Sequence, residues 1–251
     1  LFYKWYIAVL LARILPNVCD NLPDFNRGFI SEGTCAQAVL ALLTLVEREL
    51  RERSVLFCCM VDIKKAFPRV RRELLFSRMQ RVGCPVYLIR AVMALYEETR
   101  ATVRTAGGFS PSFLIEQGTR EGCLLSPLLF FIFFADAVEH MSKIRLEDGQ
   151  VLLGALVAVI ILFADDVVLI ARSLPDLQRL IDGWGAYCNC SHEQMSLTKT
   201  KAMCFRSASS PFRILEGRLY RRARLSEGEG ALLPFKRSLR KGDGSQIFSY
   251  E

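Results

Sequence analysis

The sequence predicts an α+β fold, an antiparallel sheet backed by helices, and three observations carry that prediction. A helical stripe of apolar residues at 39, 40, 42, 43, 46 and 50 gives way at Val55 to a continuous apolar run of strand length, VLFCCMVD. Two more short apolar runs, 157–163 and 167–171, flank Ala164-Asp165-Asp166 as hairpin arms flank a turn. Helical patterns over 127–143 and 175–190 supply layers to cover such a sheet. A chain of 251 residues, 51% hydrophobic and 24% charged, is long enough to bury a core of this kind.

The opening segment, LFYKWYIAVLLARIL, is interrupted by Lys4 and Arg13 and is followed by no small-residue cleavage site, so it reads as a buried helix of a truncated chain. QAVLALLTLVERELRER carries the helical stripe and ends in charge. The strand VLFCCMVD stays apolar until its C-terminal end delivers Asp62. RRELLFSRMQRVG reads as a helix closed by Gly83, and VYLIRAVMALYEET, after Pro85, reads as another. ATVRTAGGFSPSFLIEQG has the pattern of a hairpin with Gly107-Gly108 at its turn, running on into the polar loop QGTREG.

Ser126-Pro127 then starts a helix, serine as N-cap and proline at the first helical position, and LLFFIFFADAVEHM continues it with apolar residues nearly all round. PDLQRLIDGWGAYCN opens a last helix on Pro175, and KTKAMCF has the length of a short strand. Beyond Arg206 no period is sustained, and glycines with mixed charge predict a poorly ordered tail.

Composition narrows the partners. Nine cysteines, an odd number scattered through apolar surroundings, point to a reducing compartment rather than a disulfide framework. Cys188, Cys190 and His192 lack the spacing of a zinc site and read as ordinary residues. No apolar run is long enough for a confident membrane span. The formal charge of +7 is concentrated at the C-terminal end, where Arg206 to Glu251 hold ten basic residues against five acidic ones. A second basic cluster runs from Lys64 to Arg81, seven Lys and Arg against Glu73 alone; it suits phosphate contacts and a solvated helix face equally well.

ILFADDVVLI, residues 161–170, places two carboxylates side by side within apolar strands. Adjacent carboxylates repel, so they need cations or exposure at a tight turn. Carboxylates from two strand ends brought to one point can hold two Mg²⁺ ions, and Asp62 at its own strand end is the third candidate. An Asp-Asp turn alone is also met as a plain solvated turn.

VDIKKAFPRV, QGTREGCLLSPLLF and FADDVVLIARS, in this order, resemble motifs A, B and C of the palm of reverse transcriptases, specifically those of non-LTR (LINE-like) retrotransposons. LPDFNRGF and SLTKTKAMCF resemble the segments that flank that palm, so the resemblance covers roughly residues 3 to 206. It implies a right-hand palm with partial fingers: 1–54 partial fingers, 55–206 the palm with motifs A to D, and 207–251 the basic tail. It implies RNA-directed DNA polymerase activity, with an RNA template, a DNA primer and dNTPs as partners, no membrane, and two Mg²⁺ ions that Mn²⁺ can replace.

By the same resemblance, Asp62 and Asp165 are metal-binding carboxylates with Asp166 the second member of the pair, and the carbonyl of Ile63 is a further metal ligand. Phe67 matches the bulky residue that excludes a ribose 2′-hydroxyl, with a plain core phenylalanine as the other reading. Gln117 and Gly118 match the stretch bordering nucleotide and template, and Lys199 matches a motif D lysine able to protonate departing pyrophosphate, or else a surface lysine.

The sequence departs from the family pattern at Pro68, where aspartate is common, at Asn26, Ile30 and Gly33, and at Ser196, where asparagine is expected before Lys199. The match also begins after the fingers segment that grips the triphosphate and reaches no thumb. A remnant with the fold but no catalysis, and a nucleic-acid-binding module without chemistry, therefore stand as alternative readings. The resemblance implies an intracellular, nuclear place of action.

Overall fold

The two periods of the sequence, near 2 and near 3.6 residues, resolve into strands and helices where they change over. The computed structural model describes residues 2–22, 35–53, 55–120, 122–153, 156–157, 160–163, 166–206, 235–238 and 246–250. In chain order these hold α1 (Phe2–Val18), α2 (Cys35–Arg53), β1 (Val55–Asp62), α3 (Ala66–Arg69), α4 (Arg72–Arg81) and α5 (Val86–Tyr96). Four two-residue strands follow, β2 (Arg100–Ala101), β3 (Arg104–Thr105), β4 (Gly108–Phe109) and β5 (Phe113–Leu114), then α6 (Ser126–Phe133) and α7 (Ala137–Ser142). The remainder is β6 (Leu152–Leu153), β7 (Leu156–Val157), β8 (Ile160–Phe163), β9 (Asp166–Ala171), α8 (Leu174–Ser191), β10 (Lys201–Arg206), β11 (Phe235–Ser238) and β12 (Gln246–Tyr250).

The chain forms two compact units that do not follow chain order: Leu1–Asp24 with Lys65–Ala135, and Phe25–Lys64 with Asp136–Glu251. The second contains a six-stranded sheet in the order β11-β12-β10-β1-β9-β8, antiparallel at every pairing. β1 sits between β10 and β9 with Leu56, Cys58, Cys59 and Val61 buried, on both of its faces, which accounts for a run that is apolar rather than alternating.

One face of that sheet meets α2, where Leu45 and Val46 pack with Leu56, Cys58, Ile161 and Ile170. Cys59, Val61 and Leu169 alternate to the opposite face, which α8 covers with Leu177, Leu180 and Trp184. At the end of α2 the fully buried Glu49 receives a two-pronged pair of hydrogen bonds from Arg172, at 2.8 and 3.0 Å. The Arg172 hydrogen bond, outweighing desolvation, holds the Glu49 carboxyl below the ordinary range.

α8 begins as its sequence predicts, with Pro175 in the first turn and the Ser173 hydroxyl accepting from the Asp176 amide at 3.3 Å. Two tail segments that show no period in the sequence, β11 and β12, continue the sheet beyond β10. The rest of the tail expected to be poorly ordered lies outside the described residues.

In the first unit, α1 buries the stripe Ile7, Leu10, Ile14 and Val18, but Phe2, Trp5, Tyr6 and Val9 are exposed. The fully buried helix expected here is thus an amphipathic one whose outer face is aromatic. α4 ends as expected: Gly83 adopts φ +87° and the Cys84 amide closes on the Met79 carbonyl at 2.9 Å. The hairpin turn falls one residue earlier than predicted, at Ala106-Gly107, because Thr105 pairs with Gly108.

Two expectations about the 127–143 helix are corrected. It is broken: the Phe134 and Ala135 amides bond to carbonyls three residues back, Phe131 and Ile132, which tightens the last turn of α6, and α7 starts afresh in the second unit. Asp136 at the break accepts a hydrogen bond from the Tyr187 hydroxyl at 2.6 Å. Ser126 is the first helical residue rather than the N-cap, and its buried hydroxyl donates to the Arg120 carbonyl at 2.6 Å.

All described cysteines with placed side chains are free thiols, and burial pushes Cys59 and Cys188 up to about 12. Among the described residues, no helix is long and apolar enough to cross a membrane.

Candidate active site

β1 ends in Asp62 and β9 begins with Asp166, and the antiparallel register sets these two residues directly opposite each other. Opposed residues share a face, so both carboxylates rise from the same side of the sheet. On the other flank of β1, Met60 faces Lys201 of β10, which brings Lys199, two residues earlier, level with Asp62. Its ammonium Nζ lies 3.5 Å from Asp62 Oδ1. The row across three chain segments therefore reads lysine, aspartate, aspartate. Asp165, in the two-residue connection between β8 and β9, lies outside the described residues.

The segment after α8 is clasped onto the end of β1. The Ser196 amide donates to the Asp62 carbonyl and the Lys64 amide to the Gln194 carbonyl, each at 2.8 Å. The Asp62 amide donates to Thr200 Oγ1 at 3.4 Å, and the Thr200 amide closes the turn onto the Ser196 carbonyl at 2.8 Å. Ser196 and Thr200 are both buried. Ser196, in the place of the expected asparagine, thus leaves Lys199 beside Asp62. Ile63 pairs with Met195 as a bridge whose two hydrogen bonds use its neighbours' groups, leaving the Ile63 carbonyl outside that pair. Thr200 escapes sequence reading because its partner is 138 residues away.

A cavity of about 330 Å³ opens at this end of the sheet, lined by Asp62, Asp166 and Lys199 on its polar side and by Val39, Leu42 and Met60 among its apolar walls. Two carboxylates opposed across neighbouring strands repel each other. Lys199 offsets one of them weakly: its side chain is 72% exposed, and pairs in that setting are worth about 0–1 kcal/mol. The row keeps a net negative charge built from hard oxygen donors, the donor chemistry that Mg²⁺ or Mn²⁺ takes. The residues present therefore fit a divalent cation. Among the described residues no group of three or more His, Cys, Asp or Glu side chains is gathered for a metal, and Cys188, Cys190 and His192 form none.

The first unit carries the other predicted residues. After Lys65, at φ +48°, the short α3 presents Phe67, half-buried, its ring stacked on Phe130 with centroids 4.5 Å apart. The Gly118 amide bonds to the Val70 carbonyl at 2.8 Å and the Thr119 amide to the Phe67 carbonyl at 2.9 Å. Gly118 has φ +86°, and a Cβ there would lie 2.6 Å from the Pro68 carbonyl oxygen, so only glycine fits. The close approach that glycine permits is to Pro68 of this chain, one of the positions at which the sequence departs from the pattern it resembles. The side chain of Gln117 is exposed and its carbonyl accepts from Arg72 at 3.2 Å.

The basic cluster of 64–81 is not a single charged face. Arg78 is buried, donates to the Phe133 carbonyl and packs over the Phe133 ring at 4.7 Å. Arg72 also turns inward, whereas Lys64, Lys65, Arg71 and Arg81 are exposed.

The family described as reverse transcriptase (RNA-dependent DNA polymerase) matches residues 3–223. The RNA-directed DNA polymerase from mobile element jockey of Drosophila funebris is 26% identical over 172 residues, which is 68% of this chain and 18% of that protein. The retrovirus-related Pol polyprotein from type-2 retrotransposable element R2DM of Drosophila melanogaster is 28% identical over 177 residues, 70% of this chain and 16% of that protein. The chain thus spans under a fifth of the length of these curated relatives. Among solved structures, telomerase from Candida tropicalis, in complex with a fragment of telomeric RNA, superposes with a TM-score of 0.56 at 14% identity, covering 82% of this chain and 35% of that one.

Proposed function

Because this chain belongs to the reverse transcriptase (RNA-dependent DNA polymerase) family, we propose that it supplies the palm of an RNA-directed DNA polymerase from a non-LTR retrotransposon. The reaction is templated transfer of a nucleotide: the primer 3′-hydroxyl attacks the α-phosphorus of a dNTP and pyrophosphate leaves. The observation that carries this reading is the row formed by Lys199, Asp62 and Asp166, two opposed carboxylates with one ammonium at 3.5 Å.

Asp62 and Asp166, together with Asp165 by its place in the sequence, would hold two Mg²⁺ ions, with the Ile63 carbonyl as a further oxygen. Bound there, the ions supply activation of the attacking hydroxyl and neutralisation of charge on the leaving oxygen. Lys199, kept beside Asp62 by the Ser196–Thr200 turn, is the donor of a proton to the departing pyrophosphate. By the family's motif, Gln117 and Gly118 border the nucleotide, and Phe67 excludes the ribose 2′-hydroxyl. RNA template, DNA primer and dNTPs are the partners.

The test is primer extension on an RNA template with Mg²⁺ or Mn²⁺, comparing the chain with Asp62→Asn and Asp165→Asn. Either substitution is expected to reduce extension by about a hundredfold or more, since a metal ligand acts on the transition state itself. Extension that survives both substitutions overturns the assignment of these carboxylates. A folded chain that extends nothing, and binds RNA in a salt-dependent way indifferent to Mg²⁺, is instead a non-catalytic nucleic-acid-binding module.

A further inference from the structure

One guanidinium in the first unit gathers backbone from two segments, the end of α5 and the strip Ile115–Gly118. Arg72, in the first turn of α4, donates from Nη1 to the Ile115 carbonyl at 2.7 Å and to the Tyr96 carbonyl at 3.2 Å. Its Nε donates to the Gly118 carbonyl at 3.1 Å and its Nη2 to the Gln117 carbonyl at 3.2 Å. Four of the five N–H groups are thereby used on main-chain oxygens, and the carbonyl dipoles solvate a half-buried charge that has no carboxylate partner among its described contacts. The guanidinium also lies over the Tyr96 ring at 4.8 Å; Arg120 lies over the same ring at 5.8 Å and over Tyr3 of α1 at 5.2 Å.

We infer that Arg72 is a positioning residue for the strip Ile115–Gly118, fixing the backbone that presents Gln117 to the nucleotide. The inference rests on the reading that Gln117 and Gly118 border the nucleotide. Three carbonyls of the strip turn onto one rigid fork, so the strip cannot shift along its own length without losing all three bonds. Two amides seal its far end, Gly118 onto Val70 and Thr119 onto Phe67, and Gly118 is pressed against Pro68 where no side chain fits. Lysine cannot replace this arrangement, because a single ammonium cannot reach carbonyls spread across a planar fork. Arg71, the preceding residue, is a contrast: its guanidinium is exposed and faces Glu73 at 3.8 Å.

Amide hydrogen exchange on the 251-residue chain separates the clamp from general stability. Arg72→Gln is expected to speed exchange at the Gly118 and Thr119 amides about tenfold or more while the amides of α4 and α5 keep their rates. Arg71→Gln removes the same charge and leaves both sites unchanged. Unchanged exchange at Gly118 and Thr119 overturns the inference, as does an equal acceleration throughout α4 and α5. If Arg72→Gln does not fold, Arg72→Lys gives the same reading, since it keeps the charge and loses the fork.

In primer extension, Arg72→Lys raises the KM for dNTP about tenfold and changes kcat by less than about threefold, the pattern of lost binding geometry rather than lost chemistry. An unchanged KM overturns the functional half of the inference. A parent chain that extends no primer counts against the proposed polymerase function, and exchange still decides whether Arg72 clamps the strip.

Discussion

Gly118 shows how one residue can be fixed twice over. Its φ of +86° excludes ordinary side chains, and the Pro68 carbonyl oxygen stands 2.6 Å from where a Cβ would be. Gly118→Ala must therefore strain the backbone and push Pro68 aside, and is expected to lower the stability of the chain by about 1–3 kcal/mol, read as a fall in urea midpoint at constant slope. An unchanged midpoint would mean that the Phe67–Val70 turn yields freely. The sequence marks this glycine through its place in QGTREG, and it marks Asp62 as the polar end of an apolar strand. Arg72 and Thr200 carry no such mark, because the groups they bind are main-chain atoms and amides far along the chain, and no local pattern encodes a distant carbonyl.

At the scale of elements, α2 is held to the sheet both by packing and by charge. Leu45 and Val46 fill the face that includes Leu56 and Ile170, and the Glu49 to Arg172 pair closes its end. Removing one partner leaves the other charge buried, so Glu49→Gln is expected to cost about 3 kcal/mol at pH 7. The folded carboxyl titrates below its unfolded value, so its contribution is complete above the unfolded value of about 4.3 and is lost as pH falls through the lower folded one. Urea melts at pH 7 and about pH 3.5 check this: the parent should lose stability on acidification and Glu49→Gln should lose less, the gap between them narrowing.

Boundaries were less legible than elements. LLFFIFFADAVEHM gives no period at which to stop a helix, and the break falls where i to i+3 bonds and the Tyr187 hydrogen bond to Asp136 take over. α1 reads as buried because aromatic residues count as apolar in any pattern, although Phe2 and Trp5 are 92% and 69% exposed.

For the whole molecule, the sheet is a long-range object. β1 closes with partners that begin at Asp166 and Lys201, while the intervening residues 65–135 belong to the other unit. The α+β class was readable because each strand announces itself locally; the interleaving of units was not, since nothing in a strand names its partner. A fragment of residues 1–135 therefore contains β1 without β8, β9 or β10, leaving Leu56, Cys58, Cys59 and Val61 without their sheet. It is expected to associate or precipitate, and size-exclusion chromatography of fragment and full chain would show it; a monodisperse, folded fragment would mean that α2 alone shields the strand.

The same separation has a consequence during synthesis. From Asp62 to Asp166 a ribosome adding about 5–20 residues per second needs roughly 5–20 s, and for that time VLFCCMV has emerged without its neighbours. Seven uncharged residues with no proline make a segment prone to pair with a strand from another chain. The nascent polypeptide thus meets an aggregation hazard at the strand that ends in Asp62, and slower initiation or a chaperone that holds extended apolar segments would raise the yield of folded protein.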